Sequence, residues 1–394
     1  MNILASGMGW IDHTHGGLNR YFADYTAAMQ AKGHAVKGLI TAHGERTTAP
    51  AYIQEVLSRE AKVNPIVRSR AFANKFRYEL KASPPDVFNP HFALYASLIT
   101  RQQVPLEVPI VTHFHGPWAQ ESQVEDRGAS MGQKLRYQLK KNVEQLSYRR
   151  SDYFIVLSQY FRDILANEYG VPTNRIHIVP GAVDVDRFRP AVDREEVRRS
   201  LGLRPDQPVL FCARRLVNRM GIDRLIAAMP QVLKEAADTV LYIVGDGPLR
   251  GRLGEQIEQL GLQQSVTLLG KVSNEDLVRW YQAADLSIVP TVTLEGFGLV
   301  TVEALACGTP VLGTPYGGTL EILDQFDRKL LFRDHSPEAI GDKITAVLTG
   351  QCTIPSRDAC RAHVMQRYTW DIVSESVTQI FEMAVSDRRR LMVR

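Results

Sequence analysis

Short apolar runs alternate with stretches of helical periodicity along almost the whole chain. Each run has the length of a buried strand, and the stretches between the runs carry apolar residues at helical spacing. Strands separated by helices are typical of right-handed βαβ units and a parallel sheet, so the pattern predicts an α/β fold. The predicted strands are 3–6, 35–40, 86–90, 110–114, 154–157 and 176–179 in the first half, and 209–213, 240–244, 266–269, 286–289, 311–313 and 330–332 in the second.

A proline-bounded, glycine-containing stretch from Pro180 to Pro190 separates the two halves. A chain of 394 residues is too long for one ordinary core and has the length of two domains. We therefore predict two doubly wound domains, 1–183 and 184–369. Because ligands bind at the carboxyl ends of parallel strands, the site is expected in a cleft between these domains.

Composition is that of an ordinary soluble protein, with 44% apolar and 23% charged residues. The net charge of +4 is too small to indicate a nucleic-acid partner. The four cysteines form no C-x-x-C pair, so no metal or redox centre is predicted, and Cys212 and Cys307 are expected in the core. This cysteine usage, an N-terminus unlike a signal peptide and the lack of a membrane-length apolar run indicate the cytoplasm.

The stretch from Glu295 to Glu303 combines two carboxylates with a glycine loop that follows a predicted strand. A loop with Gly296 and Gly298 that opens a helix is suited to an anion, because free N–H groups and the helix dipole point at one spot. Carboxylates next to an anion site are suited to hydroxyl groups. A sugar nucleotide carries both hydroxyl groups and phosphate. The alternative is a plain β-loop-α unit with solvated carboxylates.

Two loops of the first half carry further candidate chemistry. Gly16 and Gly17 precede a helix, as a second phosphate cradle or as a flexible turn. Three histidines lie at the ends of two predicted strands: His91 follows 86–90, and His113 and His115 lie at the end of 110–114. Trp118 follows them in the chain. Histidines at neighbouring strand ends indicate hydroxyl recognition or acid–base work, although a single one is often structural.

Three arginines follow the first strand of the second half: Arg214, Arg215 and Arg219. Guanidinium groups match phosphate oxygens and neutralise charge on a leaving diphosphate. The later Gly245-Asp-Gly-Pro248 turn is a weak glycine signal without the acidic residue of a dinucleotide site.

Two basic segments are compatible with an anionic membrane surface or with ordinary solvated helices. In 133–150 we favour a helix that packs its leucine face on the sheet. In 43–81, where an acceptor is expected to dock, we favour an amphipathic helix with solvated charges.

Six motifs occur in one order over about 310 residues: G-G-x-x-R-Y from Gly16, H-G-P-W from His115, R-L-V-x-x-x-G from Arg215, G-D-G-P from Gly245, E-x7-E from Glu295 and G-G-x-x-E from Gly317. The set resembles the family-four (group 1) retaining glycosyltransferases of the GT-B architecture. That resemblance implies two Rossmann-like domains facing across a cleft, with the acceptor on the first and the nucleotide sugar on the second. It also implies that a final helix, 370–394, crosses back to the first domain.

The resemblance further implies residue roles. Arg219 would replace a lysine that relatives carry at the position of Met220. The remaining roles are Glu303 for the ribose, Glu295 for the donor sugar, backbone N–H groups of Phe297, Gly298 and Leu299 for sugar or phosphate, Arg215 for the diphosphate, Gly16 and Gly17 approaching it, Gly270, Lys271 and Val272 for the base, His115 at the reaction centre, and His91 and Trp118 for the acceptor.

The implied activity is retaining transfer of a hexose from a nucleoside diphosphate sugar to a saccharide or lipid-linked acceptor in glycoconjugate synthesis. A UDP-sugar is favoured as the donor, and a GDP-sugar is next. No cofactor is expected beyond this co-substrate. No metal is expected either, since Asp184 and Asp186 form a D-x-D pair in the linker rather than in a predicted site loop. The expected location is the cytoplasm, with peripheral membrane contact. The alternatives are a non-catalytic sugar-nucleotide-binding protein and a GT-B-like epimerase or phosphorylase.

Overall fold

The computed structural model describes residues 1–11, 16–41, 49–57, 64–126 and 130–392. The chain divides into unit 1, Met1–Gly181 with Trp370–Arg394, and unit 2, Ala182–Thr369. This division lies two residues before the predicted limit at 183. Parts of the basic segment 43–81, and His13 and His15 before the Gly16-Gly17 pair, lie outside the described residues.

Parallel strands alternate with helices in both units. The strands are β1 (Asn2–Ser6), β2 (Ala35–Ile40), β3 (Ile53–Glu55), β4 (Val87–Pro90), β5 (Val111–Phe114), β6 (Tyr153–Val156), β7 (Ile176–Ile178), β8 (Val209–Ala213), β9 (Val240–Val244), β10 (Val266–Gly270), β11 (Leu286–Val289) and β12 (Val311–Gly313). The helices are α1 (Gly17–Ala31), α2 (Pro65–Ala82), α3 (Ala93–Ala96), α4 (Trp118–Asp126), α5 (Met131–Tyr148), α6 (Gln159–Tyr169), α7 (Arg194–Ser200), α8 (Ile222–Glu235), α9 (Arg250–Gln259), α10 (Asn274–Ala283), α11 (Leu299–Ala306), α12 (Gly317–Phe326), α13 (Pro337–Leu348), α14 (Arg357–Arg367) and α15 (Trp370–Met392).

The sheet of unit 1 has the order β3-β2-β1-β4, and a second ladder has the order β5-β6-β7. A bridge between Phe88 and Ile110 links β4 to β5. The strand order therefore reverses between β1 and β4, which is where ligands bind in doubly wound sheets. His91 follows β4 at this point, and its N–H donates to the carbonyl of Ser6 at 2.8 Å.

Helix α15 belongs to unit 1 and is held there by polar contacts along its length. Lys32 pairs with Glu375 at 2.8 Å, and Tyr153 donates from its hydroxyl to Asp387 at 2.5 Å. Val377 and Phe381 of the same helix are fully buried. The helix from Trp370 therefore completes the core of the first unit.

The sheet of unit 2 has the order β10-β9-β8-β11-β12, and every pair in it is parallel. Its order reverses between β8 and β11, because β9 lies on one side of β8 and β11 on the other. The loops that leave these two strands begin at Arg214 and Pro290. They carry the predicted arginines and Glu295.

The structure differs from the predicted strands in two places. Residues 330–332 form no strand: a 3-10 turn covers Arg328–Leu330, and only Leu331 bridges to Gly313. The pattern also missed β3, a three-residue strand at the edge beside β2, because so short a run carries no alternation. In 43–81, α2 is the expected amphipathic helix, with Phe72 and Phe76 fully buried.

The prediction for α5 was wrong about its leucine face. Leu135 is 62% exposed and Leu139 is 56% exposed. The buried face is instead formed by Glu144, Ser147 and Tyr148, on the side where α5 packs against α4 and α3.

Cys212 and Cys307 are buried, as predicted. Within the described ranges, we find no helix whose length and hydropathy would let it traverse a bilayer.

Candidate active site

A buried ion pair lies at the point where the strand order of unit 2 reverses. Nη2 of Arg214 lies 2.6 Å from Oε2 of Glu295, and both side chains are less than one-tenth exposed. The hydroxyl of Thr291 donates to the same carboxylate oxygen at 2.9 Å. Neither Nε nor Nη2 of Arg214 has an aligned hydrogen-bond acceptor among the described residues. Arg214 thus holds Glu295 in place through Nη2, and its buried Nε is a donor without an aligned acceptor among the described residues.

The loop that carries Glu295 is fixed through its backbone. Arg219 is buried, and its Nη1 donates to the carbonyl of Leu294 at 3.1 Å. The N–H of Val292 donates in return to the carbonyl of Arg219 at 2.9 Å. Leu294 has a φ of 55°, the one positive φ of a non-glycine residue in the described part of the chain. Such a conformation persists only where the surroundings impose it, and it occurs often at functional sites.

Glycines let the neighbouring loops approach this segment. The N–H of Gly318 donates to the carbonyl of Glu295 at 2.9 Å. A Cβ on Gly317 would overlap that carbonyl, and a Cβ on Gly318 would overlap the backbone of Phe297. Gly298 has a φ of 92°, and a Cβ there would lie 2.6 Å from the hydroxyl of Thr319. The loop from Leu294 to Gly298 is therefore seated on the amino end of α12, backbone against backbone.

The second carboxylate of the predicted stretch is buried on α11. Glu303 is 4% exposed and accepts a hydrogen bond at Oε2 from the hydroxyl of Tyr281 at 3.1 Å. Leu299 is the first helical residue, and the ring of Phe297 is turned into the core beside Tyr368, with ring centres 5.7 Å apart. Phe297 thus contributes its backbone rather than its ring to the helix amino end.

The remaining predicted residues of unit 2 lie near its surface. Arg215 is exposed, unlike its neighbour Arg214. Lys271 is 68% exposed and lies 3.7 Å from Asp246. Gly270, with a φ of 77°, accepts at its carbonyl from the N–H of Gly245 at 2.8 Å, and Val272 is half-buried beside it.

In unit 1 the three strand-end histidines form one stacked cluster. The ring centres of His91 and His113 are 4.2 Å apart, and those of His91 and His115 are 5.2 Å apart. Nδ1 of His91 lies 3.0 Å from Nε2 of His115. Tyr21 of α1 makes an edge contact with His115, and Trp370 of α15 makes an edge contact with Tyr21.

Burial keeps all three rings neutral at physiological pH. It lowers the pKa of His91 and of His113 well below 6.5, and the neighbouring histidines lower both pKa values further. Burial also lowers the pKa of His115 to about 3. A neutral imidazole accepts at one nitrogen and donates at the other, so His115 is equipped to bind hydroxyls and not to supply a proton.

Trp118 and the glycine pair complete the predicted residues of unit 1. Trp118 is half-buried, with Nζ of Lys140 4.9 Å from its ring centre. Gly16 and Gly17 stand at the amino end of α1, and a Cβ on Gly16 would meet nothing within 4 Å.

A buried carboxylate anchors the helix that follows His115. Glu144 accepts from the N–H groups of Trp118 at 2.8 Å and Ala119 at 3.3 Å. It also accepts from the hydroxyl of Tyr169 at 2.7 Å. Burial outweighs these donors and raises the pKa of Glu144 to about 7.

We expect Glu144→Gln to remove a pH-dependent contribution to stability. Because the pKa of Glu144 in the folded protein lies above its ordinary 4.5, the residue favours folding most below pH 4.5, and this contribution is lost as the pH rises to about 7. The free energy of unfolding of the wild type, relative to the variant, should therefore fall by an amount on the order of 3 kcal/mol across that window. Denaturant unfolding at several pH values measures it. Glu168→Gln serves as control, and parallel pH profiles for wild type and Glu144→Gln would contradict the expectation.

The D-x-D pair forms a turn. Oδ1 of Asp184 accepts from the N–H groups of Asp186 and Arg187, and Asp184 also pairs with Arg187 at 3.1 Å. Among the described residues, no group of three or more His, Cys, Asp or Glu side chains could hold a metal ion.

The structure thus brings Glu295 together with Arg214 and the Arg219 loop, and His91 together with His115. Three partners of these residues were not predicted: Thr291 and Tyr281 in unit 2, and Asn89 in unit 1. Arg214 was visible as a member of the arginine cluster. No spacing singled out Thr291, Tyr281 or Asn89.

Comparison with known proteins identifies the family of the chain. The profile of the family described as Glycosyl transferases group 1 matches residues 193–366, and that of Glycosyltransferase Family 4 matches residues 15–187. The GDP-mannose-dependent monoacylated alpha-(1-6)-phosphatidylinositol monomannoside mannosyltransferase of Corynebacterium glutamicum is 33% identical over 244 residues, 59% of this chain and 62% of that protein.

Two solved structures illustrate the similarity in fold. Sucrose-phosphate synthase from Thermosynechococcus elongatus matches with a TM-score of 0.78 at 21% identity, covering 98% of this chain and 99% of that one. Anabaena HepE in complex with UDP-glucose matches with a TM-score of 0.75 at 19% identity, covering 97% and 100%.

Two Rossmann-like domains with these neighbours define the GT-B class of glycosyltransferases. Within that class, the chain belongs to the group 1 glycosyltransferases, as the resemblance implied. The aligned regions span 58% to 63% of the length of three curated relatives, the corynebacterial protein among them.

Proposed function

We propose that this protein transfers a hexose from a nucleoside diphosphate sugar to an acceptor hydroxyl, with retention of anomeric configuration and without a metal ion. The main observation in support is the buried Arg214–Glu295 pair at the reversal point of the unit 2 sheet, beside the glycine-bounded amino end of α11. This region combines cationic donors, free backbone N–H groups and carboxylates, as a sugar diphosphate requires.

The donor would be bound in parts. The guanidinium of Arg214, through Nε, and the N–H groups around Leu299 are suited to the diphosphate. Glu295 is suited to hydroxyls of the transferred sugar, and Glu303, oriented by Tyr281, to the ribose. Arg215 and Lys271 are exposed cations beside this region and would add charge compensation.

The reaction breaks the bond between the anomeric carbon and the diphosphate oxygen, and the acceptor oxygen forms the new bond. Negative charge then grows on the leaving diphosphate. Arg214 and the α11 amides would stabilise that charge more in the transition state than in the ground state, which lowers the barrier. The acceptor proton passes to the departing diphosphate, so no protein base is required, in keeping with the neutral His115.

A donor screen tests the proposal. Purified protein is incubated with labelled UDP-, GDP- and ADP-sugars, with saccharide and phosphoinositide acceptors. GDP-mannose is included because the corynebacterial relative is named for it. We expect transfer, or slow hydrolysis, of at least one donor, unchanged by EDTA, and a product whose anomeric configuration by NMR equals that of the donor.

Each contrary result identifies another function. Donor binding without turnover on any acceptor indicates a non-catalytic sugar-nucleotide-binding protein. Conversion of the donor sugar into its epimer, or release that requires inorganic phosphate, indicates an epimerase or a phosphorylase. A product with inverted anomeric configuration would contradict the retaining mechanism but not the transferase activity.

We also propose that unit 1 contacts an anionic membrane through the outer stripe of α5, defined as Met131, Leu135, Leu139 and Leu146. These four side chains are 46% to 82% exposed and recur at helical spacing. Lys134, Arg136 and Arg149 are exposed around them. The single carboxylate of α5, Glu144, is buried on the opposite face, so the outer face offers cations without acids, which suits anionic lipid.

We expect Leu135→Ser/Leu139→Ser to weaken binding to phosphatidylglycerol-containing vesicles by at least about tenfold, since burying one leucine is worth about 1.5–3 kcal/mol and 1.4 kcal/mol is a factor of ten. Vesicle co-sedimentation measures the partition coefficient, with pure phosphatidylcholine vesicles as the uncharged comparison. Leu98→Ser/Leu106→Ser changes two other exposed leucines of unit 1 and is the matched control. Equal losses in both double variants would rule out a specific role for α5.

A further inference from the structure

The amide of Asn89 connects a backbone carbonyl to two histidine rings at the end of β4. Asn89 is fully buried. Its side-chain nitrogen lies 2.6 Å from the carbonyl oxygen of Val111 on the neighbouring strand β5. Because a carbonyl can only accept, the NH₂ group must point there, and this fixes the orientation of the amide. The amide oxygen therefore points at His91.

Hydrogen-bond direction then propagates from ring to ring. Oδ1 of Asn89 lies 2.8 Å from Nε2 of His91, so this nitrogen carries a proton and donates it. A neutral His91 is left with a lone pair on Nδ1, 3.0 Å from Nε2 of His115. Nε2 of His115 must consequently be the donor, and the lone pair of His115 is on Nδ1.

The surroundings of the two rings exclude a charged alternative at neutral pH. Among the described residues, the titratable groups that pack on them are Tyr21 and Tyr25 of α1 and His113 of β5. Burial raises the pKa of both tyrosines and lowers that of His113, so none of them carries a charge there. Since these described neighbours include no anion that could stabilise an imidazolium, Asn89 sets the direction of the hydrogen bonds.

We propose that Asn89 is a positioning residue that acts through His91 to fix His115 in the Nε2–H tautomer, so that Nδ1 of His115 is the acceptor offered to a sugar hydroxyl. The use of that acceptor rests on the proposed transferase function, whereas the tautomer does not. The opposite tautomer would present an N–H at the same place, which can donate to a hydroxyl oxygen but cannot accept the hydroxyl proton. Asn89 would thereby set the polarity of an atom to which it is not bonded.

The tautomer is measured directly by ¹⁵N NMR of histidine-labelled protein, with His115→Gln used to assign the signals. In the wild type we expect Nδ1 of His115 to be unprotonated and Nε2 protonated. In Asn89→Ala, His91 loses the acceptor for its Nε2 proton, so both tautomers of His115 should be populated. A wild-type His115 with its proton on Nδ1, or an unchanged single tautomer in Asn89→Ala, overturns the proposal.

Asn89→Asp gives a sharper test. The new carboxylate should raise the pKa of His91, and below that pKa a doubly protonated His91 donates from Nδ1 and forces the His115 proton onto Nδ1. We expect kcat/KM of this variant to rise with pH with the same midpoint as the NMR titration, and that of the wild type to stay flat across this range. A pH-independent His115 tautomer in Asn89→Asp contradicts the relay, even if the enzyme loses activity.

His113→Asn is the control for packing. An asparagine oxygen there can replace Nδ1 of His113 as the acceptor for the Asn89 amide at 2.9 Å, but His113 is not on the path to His115. The His115 tautomer should be unchanged in this variant, and a shift in it would overturn the assignment of the path. If the wild type turns over no donor, the NMR results still decide the tautomer of His115. In that case only the proposed role of its Nδ1 in binding a sugar hydroxyl is contradicted, together with the proposed function.

Discussion

Arg214→Met should reduce sugar transfer roughly 100- to 1,000-fold, the loss that follows removal of one transition-state donor. It should also destabilise unit 2 by about 3–5 kcal/mol, because Glu295 then loses its cationic partner and keeps the Thr291 hydroxyl as a neutral one among the described residues. Kinetics with a fixed donor and thermal unfolding measure the two effects separately.

The double variant Arg214→Met/Glu295→Gln separates structure from chemistry. Removing both charges abolishes the unpaired carboxylate, so most of the lost stability should return. Transfer should not return, since the diphosphate still lacks its cationic donor. Recovered turnover in the double variant would mean that Arg214 serves only to neutralise Glu295, and the proposed donor site would have to be abandoned.

Gly318→Ala should be nearly as damaging, for a purely steric reason. The added Cβ would overlap the backbone of Phe297, which cannot swing aside as a side chain could. The loop from Leu294 to Gly298 must then move, and displacement by about 1 Å in a catalytic frame can cost about 100-fold in rate. We expect lower kcat, weaker donor binding by calorimetry and a lower Tm.

Gly254→Ala is the matched control for this substitution. Gly254 lies within α9, and a Cβ there would meet nothing within 4 Å. Alanine is favoured over glycine inside a helix by about 0.5–1 kcal/mol, so the control should be as stable as the wild type or slightly more stable. If the two variants behave alike, the packing of α12 against the loop has no bearing on the donor site.

Much of the fold could be predicted from the sequence because buried parallel strands leave apolar runs that recur between helical patterns. Strand ends also located the candidate loops, since carboxyl ends of parallel strands meet at one edge. Glu295 and Arg219 were both named as candidate residues from such loops, and in the structure Nη1 of Arg219 donates to the carbonyl of Leu294, next to Glu295.

The resemblance assigned Arg215 to the diphosphate, but the sequence does not show whether Arg214 or Arg215 is the buried one. Both follow β8, and their order in the chain does not say which one turns inward. The close approach of Gly245, whose added Cβ would overlap the carbonyl of Arg214, fixes the path of this turn. Such a contact between the ends of β8 and β9 belongs to the tertiary structure and leaves no mark on the spacing of the arginines.

Helix α5 shows a different limit. Its periodicity defined an apolar face but not what covers that face. The inner side is occupied by Glu144, because the first N–H groups of α4 and the hydroxyl of Tyr169 need an acceptor there. A buried polar requirement thus overrode the leucine pattern.

The glycines that separate the unit 2 loops also have an evolutionary consequence. At Gly221, Gly245, Gly317 and Gly318, an added Cβ would overlap the backbone of an adjoining loop. The frame around the ion pair is therefore built from main chain, and its shape is largely insensitive to the exposed side chains it carries. Residues such as Arg215 and Lys271 can vary without moving that frame, so a descendant of this chain could change the surface chemistry of these loops while keeping the geometry of the frame.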